Sequence, residues 1–445
     1  MPTSDIKISV HNYKSLRHVT LPEEPFHVLV GPNAAGKSNI ADALEFLSEV
    51  YSQGLENAVA RKGGYENISF RRARRSRAAI EFSVSAQFKA PGFRGRFRIH
   101  HEFHFRAHGQ AIQAGFEIVH EHLQVLYRPT PADLSFDAAQ SDESQTTEFK
   151  PLFSLKRRVL PNHHTAVLDI QKEFEENSHP IIALQPALER IGRWGPEFEV
   201  ADTELASSIL ARIFLPLRRF QETLGGIRVF QVSPHTSREP GVVTPNPNLG
   251  RHGENLPGVV SFLESHHPEA YKTIIGYFRE IIPRLTGVEV SYTHRRTITL
   301  DFQEEDVGRP WVIDEVSDGT IQCLAILVAV LDPRRQFVMI EEPENSVHPW
   351  ILRNIVDACR VASRNRQILI STHSPVLLNM LRLEELSIVS KSHGETSVSR
   401  IETLDTEVRS IWDRGEMSLY DLLDSGVISK AVPLSEPDEP LPKAP

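Results

Sequence analysis

A glycine-rich segment near the N-terminus has residue types and a spacing that suit phosphate binding. Gly31 and Gly36 precede Lys37 and Ser38 in a complete G-x-x-x-x-G-K-S pattern, with Asn33 inside the loop. Backbone N–H groups of such a loop surround the phosphates of a nucleotide at the positive end of the following helix. We expect Lys37 to reach the β- and γ-phosphates and Ser38 to hold Mg²⁺, with Asn33 as a further nucleotide contact. A glycine turn that only resembles a phosphate loop is the alternative.

The segments on either side of this loop support the phosphate-binding interpretation. The apolar run 26–30 predicts a buried strand immediately before the loop. After the loop, Ile40, Ala43, Leu44 and Leu47 fall on one face of a helix. Strand, loop and helix therefore follow in the order that a nucleotide site of this kind requires.

Two further apolar runs end in side chains that could act on a phosphate. Residues 337–340 predict a buried strand that delivers Glu341 and Glu342 at its carboxyl end, the edge where doubly wound sheets bind ligands. Glu341 would organise the Mg²⁺ shell, and Glu342 would polarise the attacking water as general base. Residues 368–372 predict a second buried strand, after which His373 could hydrogen-bond the γ-phosphate or the water. A solvated glutamate pair and a capping or core histidine are the alternatives.

A third segment, residues 316–320, opens a strongly apolar helix that runs to Leu331. Ser317 and Gly319 stand at its N-terminus, where free N–H groups and the helix dipole attract anions. The alternative is an ordinary cap, in which Ser317 or Asp318 satisfies those N–H groups. Taken alone, this segment favours the cap.

Between residues 80 and 127 apolar and polar residues alternate, which predicts an antiparallel sheet with one solvent-exposed face. A period of two collects aromatic residues on one side and basic residues on the other. The basic side includes Arg94, Arg96 and Arg98, and an arginine cluster lies at 71–77. We expect Arg94, Arg96 and Arg98, together with this cluster, to contact a nucleic-acid backbone, and DNA is the nucleic acid expected. Solubility, or pairing with acidic residues, is the alternative.

The chain divides by composition into four parts. Residues 1–128 form a first lobe, and 129–224 form an insertion that reads mostly as helices from 165 onward. Residues 225–400 form a second lobe in which Gln231 follows a short strand pattern. Residues 401–445 form a tail that is proline-rich and acidic from 434, a composition typical of disorder.

Overall composition limits the function classes. The chain has 445 residues and a net charge of −9, so a nucleic-acid contact would need a local basic patch. Its two cysteines, Cys323 and Cys359, both fall in apolar helical patterns, which indicates a reducing compartment. No signal peptide is evident, and the longest apolar run is shorter than the roughly 20 residues that span a bilayer. We expect a cytoplasmic protein with no membrane contact.

Together these motifs resemble the ABC-type ATPases of the RecF, SMC and OLD group, which are also classed with the AAA family. The resemblance covers residues 1–128 and 225–400. The matching segments are Gly31–Ser38 for Walker A, Val316–Thr320 for the signature, Val338–Glu342 for Walker B, Ser346–His348 for the D-loop and His373 for the switch histidine. Glu341 stands where many members have Asp, and the Q-loop is not evident, so Gln231 is the candidate.

The resemblance implies an α/β P-loop NTPase fold: an ABC-ATPase-like head with an antiparallel β subdomain and a helical insertion. It also implies a homodimer or larger homo-oligomer in which two heads sandwich two ATP molecules. Ser317 and Gly319 of one head would then touch the γ-phosphate held by Lys37 of the other. Hydrolysis of Mg²⁺-bound ATP would drive or gate a complex in a DNA-related process, either repair or anti-phage defence.

Two other interpretations are open. The first is a nucleotide-gated clamp or sensor that hydrolyses little and regulates a partner effector such as a nuclease. The second, weaker one is a transporter subunit. Some OLD relatives carry a Toprim nuclease domain, but the roughly fifty residues after Ser390 are too few for a typical domain and contain no Glu followed by Asp-x-Asp. We therefore expect any nuclease effector to act in trans.

Overall fold

A computed structural model describes residues 5–70, 78–93, 95–107, 115–130, 148–159, 165–172, 199–293, 296–401, 410–412, 414 and 417–425. The strands are β1 Ile6–Tyr13, β2 Leu16–Thr20, β3 Phe26–Val30, β4 Ile80–Phe88, β5 Arg96–Ala107, β6 Phe116–Arg128, β7 Lys150–Val159, β8 Thr165–Lys172, β9 Glu199–Ala201, β10 Arg228–Phe230, β11 Leu285–Tyr292, β12 Ile298–Glu304, β13 Trp311–Val312, β14 Phe337–Glu341, β15 Gln367–Thr372, β16 Leu386–Ser392 and β17 Glu395–Arg400. The helices are α1 Lys37–Gln53, α2 Leu55–Arg61, α3 Tyr65–Ile68, α4 Ala206–Leu210, α5 Leu215–Gly225, α6 Pro234–Ser237, α7 Leu256–His266, α8 Pro268–Ile281, α9 Asp318–Leu331, α10 Pro349–Ala362, α11 Pro375–Leu378 and α12 Leu419–Asp424.

Fourteen of these strands form one sheet, in the order β10-β14-β15-β3-β16-β17-β2-β1-β4-β5-β6-β7-β8-β9. Strands β10, β14, β15, β3 and β16 run parallel, whereas β1 and β4 to β9 pair antiparallel. Strands β11 to β13 form a separate three-stranded sheet. The prediction of an α/β fold with an antiparallel subdomain is confirmed.

Side-chain patterning explains the change from parallel to antiparallel pairing. Every residue of β3, β14 and β15 is buried, as expected for parallel strands that are covered on both faces. In β4 and β5, buried and partly exposed residues alternate, so one face meets the core and the other faces solvent. The predicted division of β5 into an aromatic face and a basic face is confirmed from Arg96 onward. Arg94, residues 71–77 and the tail from 426 lie outside the described residues.

One part of the predicted insertion differs from expectation. Residues 165–172, assigned to helices, form strand β8, and β7 precedes it. The reason is a period of two: Ala166 and Leu168 are buried, with the exposed Asp169 following them. In the rest of the described insertion, β9 is followed by the helices α4 and α5.

Two hydrophobic clusters cover opposite faces of the parallel strands. In β14, Met339 belongs to the cluster that contains α1, whereas Val338 and Ile340 belong to the cluster that contains α9. Since neighbouring side chains of a strand point to opposite faces, α1 and α9 lie on opposite sides of the sheet. Among the described residues, no helix is both long enough and apolar enough to cross a membrane.

A buried polar network lies inside the first cluster. The Tyr51 hydroxyl of α1 lies 2.7 Å from His101 Nδ1, and His101 Nε2 lies 3.2 Å from Glu121 Oε1. Arg157 Nε donates to Glu121 Oε2 at 3.2 Å, and the first two N–H groups of α4 donate to the same carboxylate at 3.0 Å. This network ties the helix after the P-loop to β5, β6 and β7.

Candidate functional site

The loop that begins at Gly31 is packed so closely that its glycines are required. Gly36 has φ +111°, in the left-handed region that favours glycine, and a Cβ there would lie 2.1 Å from Thr396 Oγ1. A Cβ on Gly31 would lie 2.1 Å from the Val389 carbonyl oxygen. The hairpin β16–β17 therefore rests against the loop. Thr396 Oγ1 also donates to the Ala35 carbonyl at 2.9 Å, which fixes the loop backbone.

Lys37 lies folded into this loop. Its Nζ donates to the carbonyl oxygens of Gly31 at 2.6 Å and Pro32 at 3.1 Å, and the residue is 8% exposed. Burial lowers the pKa of Lys37, while the carboxylates of Glu342, Glu344 and Glu341 oppose that shift. The lysine is thus a cation held between the loop and an acidic strand edge.

Ser38 and Glu341 meet across the edge of the sheet. The Ser38 hydroxyl donates to the Glu341 carboxylate, which is 5% exposed at the end of β14. Burial raises the pKa of Glu341, and the charge and hydrogen bond of Arg251 oppose that shift. Arg251 Nη2 lies 2.5 Å from Glu341 Oε1, and Arg251 Nη1 lies 2.6 Å from Glu45 Oε2 of α1.

These groups fit the Mg²⁺ ion that a P-loop nucleotide site uses. A serine hydroxyl and a carboxylate supply the oxygen ligands that Mg²⁺ prefers. The buried Glu341 carboxylate also needs a neighbouring positive charge, which Arg251 now supplies. Ser38 and Glu341 would hold the ion.

The next residue, Glu342, approaches His373 from the neighbouring strand. Glu342 has φ +49°, and its N–H donates to the Ser371 carbonyl of β15 at 2.8 Å. His373 Nδ1 lies 3.4 Å from Glu342 Oε1, and Asn345 Nδ2 donates to Glu342 Oε2 at 3.1 Å. Two residues predicted from separate motifs are therefore neighbours.

Parallel pairing explains why these motifs converge. Glu341 of β14 is in register with Ser371 of β15, and Thr372 is in register with Val30 of β3. The segments after these three strands therefore emerge at one edge, where the P-loop, Glu342 and His373 lie. Strand β10 pairs with β14 in the same direction, Phe230 opposite Ile340, so Gln231 comes level with Glu341.

The signature segment lies at the N-terminus of α9. Ser317 caps α9 by accepting a hydrogen bond from the Thr320 N–H at 3.2 Å. A Cβ on Gly319 would lie 3.0 Å from the Ser346 carbonyl oxygen, which brings the signature against the D-loop segment. Helix α9, which Ser317 and Gly319 open, covers the sheet face opposite α1, the helix that Lys37 begins.

The arginines of the predicted basic face stand at one end of β5. Arg96 is paired with Arg128 of β6, and the guanidinium of Arg98 lies 4.1 Å from the Phe149 ring centroid. Arg128 stacks over the same ring at 4.9 Å. Two arginines of this face thus stack on one aromatic ring, and Arg96 lies opposite one of them in the ladder.

Comparison with known proteins assigns the family. The family described as "AAA domain, putative AbiEii toxin, Type IV TA system" matches residues 26–379, which include every motif from the P-loop to His373. The chain belongs to this AAA family. The predicted membership in the ABC-type ATPase group of the SMC and OLD proteins is confirmed.

Among curated proteins, this AAA protein is similar to an OLD nuclease of Thermus scotoductus, with 24% identity over 404 residues. The match covers 88% of this chain and 63% of the relative, so the chain spans less than two thirds of the relative's length. Solved structures that align with it include an SMC head bound to the C-terminal winged-helix domain of ScpA, with TM-score 0.45, 13% identity, and 90% and 99% of the two chains covered. The SMC head domain of Thermotoga maritima aligns with TM-score 0.37, 12% identity and coverage of 89% and 98%.

Sequence reasoning missed three residues of this AAA site. Arg251 lies in a proline-rich segment without periodic pattern, and Thr396 lies in a hairpin far along the chain. Glu344 lies two residues after the predicted carboxylate pair and accepts a hydrogen bond from Thr372 Oγ1 at 2.6 Å. No motif or periodic pattern in the sequence pointed to Arg251.

Proposed function

We propose that this AAA family protein binds Mg²⁺-ATP and hydrolyses it at sites shared between two copies of the chain. The observation that carries the proposal is the approach of Glu342 to His373 at the sheet edge that also holds the P-loop. A carboxylate beside an imidazole, next to a phosphate-binding loop, has the groups that activate and orient water.

The proposed roles follow from the contacts of each side chain. With ATP bound, Lys37 would exchange the Gly31 and Pro32 carbonyls for phosphate oxygens. Ser38 and Glu341 would hold Mg²⁺, which when bound neutralises charge on the phosphates. Glu342 would accept a proton from the attacking water. His373 would hydrogen-bond the γ-phosphate or the water, and Gln231, level with Glu341, would line the same edge.

The shared site follows from the position of the signature segment. Ser317 and Gly319 start a helix on the sheet face opposite α1, so a second copy is the natural source of these groups for each Lys37 site. The N–H groups at that helix start would then face the γ-phosphate. A homodimer with two nucleotides between the heads satisfies this requirement.

We further propose a DNA-related role in repair or anti-phage defence, with a nuclease effector acting in trans. The name of the OLD nuclease relative and the arginines around Phe149 support it. We propose the cytoplasm as the compartment, which the two buried free cysteines support.

The test is steady-state ATP hydrolysis by the purified chain, with and without DNA. Glu342→Gln should keep ATP binding, accumulate an ATP-bound dimer, and lose roughly 10²–10⁴-fold in turnover. Glu384→Gln, an exposed glutamate away from the site, is the matched control. If Glu342→Gln hydrolysed ATP as fast as the unmodified chain, the assignment of Glu342 as the general base would be refuted. An ATP-stabilised dimer of the unmodified chain without turnover would favour the clamp instead.

A further inference from the structure

The outer face of β5 and β6 carries a cluster of imidazole and carboxylate groups away from the nucleotide site. In the antiparallel ladder Glu102 is opposite His122, and His104 is opposite His120. The ligand atoms of Glu102, His104 and His120 all lie within 4.8 Å of one another. In the part of the chain that the structure describes, no other group of three such residues converges in this way.

The strand geometry builds this convergence. Residues two apart on a strand share a face, so Glu102 and His104 point outward while Phe103 between them is fully buried. The register shifts between His104 and Phe105, where His104 pairs with His120 but Phe105 pairs with Ile118. Such bulges re-aim side chains, and this one lies directly beside the cluster.

We propose that Glu102, His104 and His120 form a site for a divalent transition metal of the zinc class. Two imidazoles and one carboxylate are a ligand set that zinc uses with a fourth position left to water or another ligand. His122 stands opposite Glu102 in the ladder, on the same face of the sheet. The ligands are side chains of two paired strands, whose backbone hydrogen bonds hold them in place.

The test titrates metal-free full-length chain with Zn²⁺, using competition against a chromophoric chelator. We expect one tightly bound equivalent, and Co²⁺ in its place should give visible absorption bands. The double variant His104→Ala/His120→Ala should lose more than the roughly 10–100-fold in affinity that removal of an outer-shell partner costs. Glu102→Gln, nearly equal in shape, should weaken binding in the same direction while keeping the fold.

The chain offers a matched control. His11 and His18 also pair across strands, with ring centroids 4.7 Å apart, and His11 Nδ1 lies 3.1 Å from Glu81 Oε2. The side chains of His11, His18 and Glu81 do not converge on one point. The variant His11→Ala/His18→Ala should therefore keep Zn²⁺ binding. Absence of binding to the native chain, or equal binding by the His104→Ala/His120→Ala variant, would overturn the proposal.

Discussion

The Nδ1 atom of His373 lies 3.4 Å from the Oε1 atom of Glu342, and both side chains remain accessible, at 47% and 30% exposure. They come from the ends of two adjacent parallel strands. A water molecule can therefore reach the carboxylate while the imidazole stands beside it.

We expect His373→Ala to lower the turnover number for ATP by about 10–100-fold, the range for losing one hydrogen bond to a charged group. Nucleotide affinity should stay unchanged, because Lys37 and the P-loop are untouched. Single-turnover hydrolysis and equilibrium nucleotide binding measure the two quantities. His393→Ala, an exposed histidine in the turn between β16 and β17, is the control. A loss of affinity with normal turnover would assign His373 to binding alone.

The helices that Lys37 and Ser317 begin cover opposite faces of the sheet, which gives a second prediction. Ser317→Arg would place a bulky cation where the opposing γ-phosphate docks, so it should abolish hydrolysis and spare ATP binding. Lys37→Ala should weaken binding itself. An equal mixture of the two should regain about a quarter of native turnover, since half of the dimers are mixed and each holds one intact site. No recovery, with mixed dimers demonstrated, would contradict the shared site.

Arg251 joins Glu341 to Glu45 and gives a third prediction. Arg251→Ala should lower the free energy of unfolding by about 1–3 kcal/mol in the absence of nucleotide, because a buried carboxylate loses its charged partner. Addition of Mg²⁺-ATP should recover more stability in this variant than in the native chain. Thermal unfolding with and without Mg²⁺-ATP measures both effects. The control is Arg279→Ala, which changes an exposed arginine of α8. Equal stabilisation of the two variants by Mg²⁺-ATP would contradict the role of Arg251 as the charged partner of Glu341.

The buried Glu121 gives a prediction for pH. Burial alone would raise the pKa of this carboxyl, but the His101 hydrogen bond and the Arg157 charge lower it to about 2. A carboxyl whose pKa is lowered by folding stabilises the protein above its unfolded pKa of 4.5, and that contribution disappears as the pH falls toward 2.

Glu121→Gln should therefore reduce the free energy of unfolding by about 3–5 kcal/mol near neutral pH, the range for a broken buried ion pair. The difference from the native chain should shrink as the pH is lowered from 5.5 toward 3. Urea unfolding across this series measures it. Glu222→Gln, half exposed on α5, should behave as the native chain does. A difference independent of pH would show that the ionised carboxylate is not the stabilising form.

Arg96 and Arg98, at one end of β5, give the last prediction, which concerns DNA. Arg96→Glu/Arg98→Glu should weaken binding to any duplex, whatever its sequence, because phosphate contacts carry no sequence information. The slope of log affinity against log salt should fall by roughly 0.9 for each lost contact. Arg218→Glu/Arg219→Glu, on the solvent-facing side of α5, reverses the same number of charges elsewhere. A flat salt response in the native chain would exclude a phosphate contact at this face.

The features that could be predicted from the sequence are those that depend on residues close together in the chain. The P-loop, Glu341, Glu342 and His373 each follow an apolar run that reads as a buried strand, and parallel pairing then brings those strand ends together. Strand β8 was missed because its short alternation stood next to helical patterns. Arg251 and Thr396 could not be found, since their roles depend on contacts across the fold. The histidines of β5 were read only as basic residues, because the opposing His120 becomes their neighbour only through pairing.

The position of β3 between β15 and β16 has a consequence for protein synthesis. Ala35 of the P-loop and Thr396, which holds it, are 361 positions apart in the chain. At 5–20 residues per second, the ribosome needs roughly 20–70 s to travel that distance. Until then the nascent P-loop has neither of its flanking strands, and its apolar strand is an exposed edge to which other chains can add. Newly made chains should therefore depend on chaperones throughout this interval, and nucleotide can assist folding only after Thr396 has been synthesised.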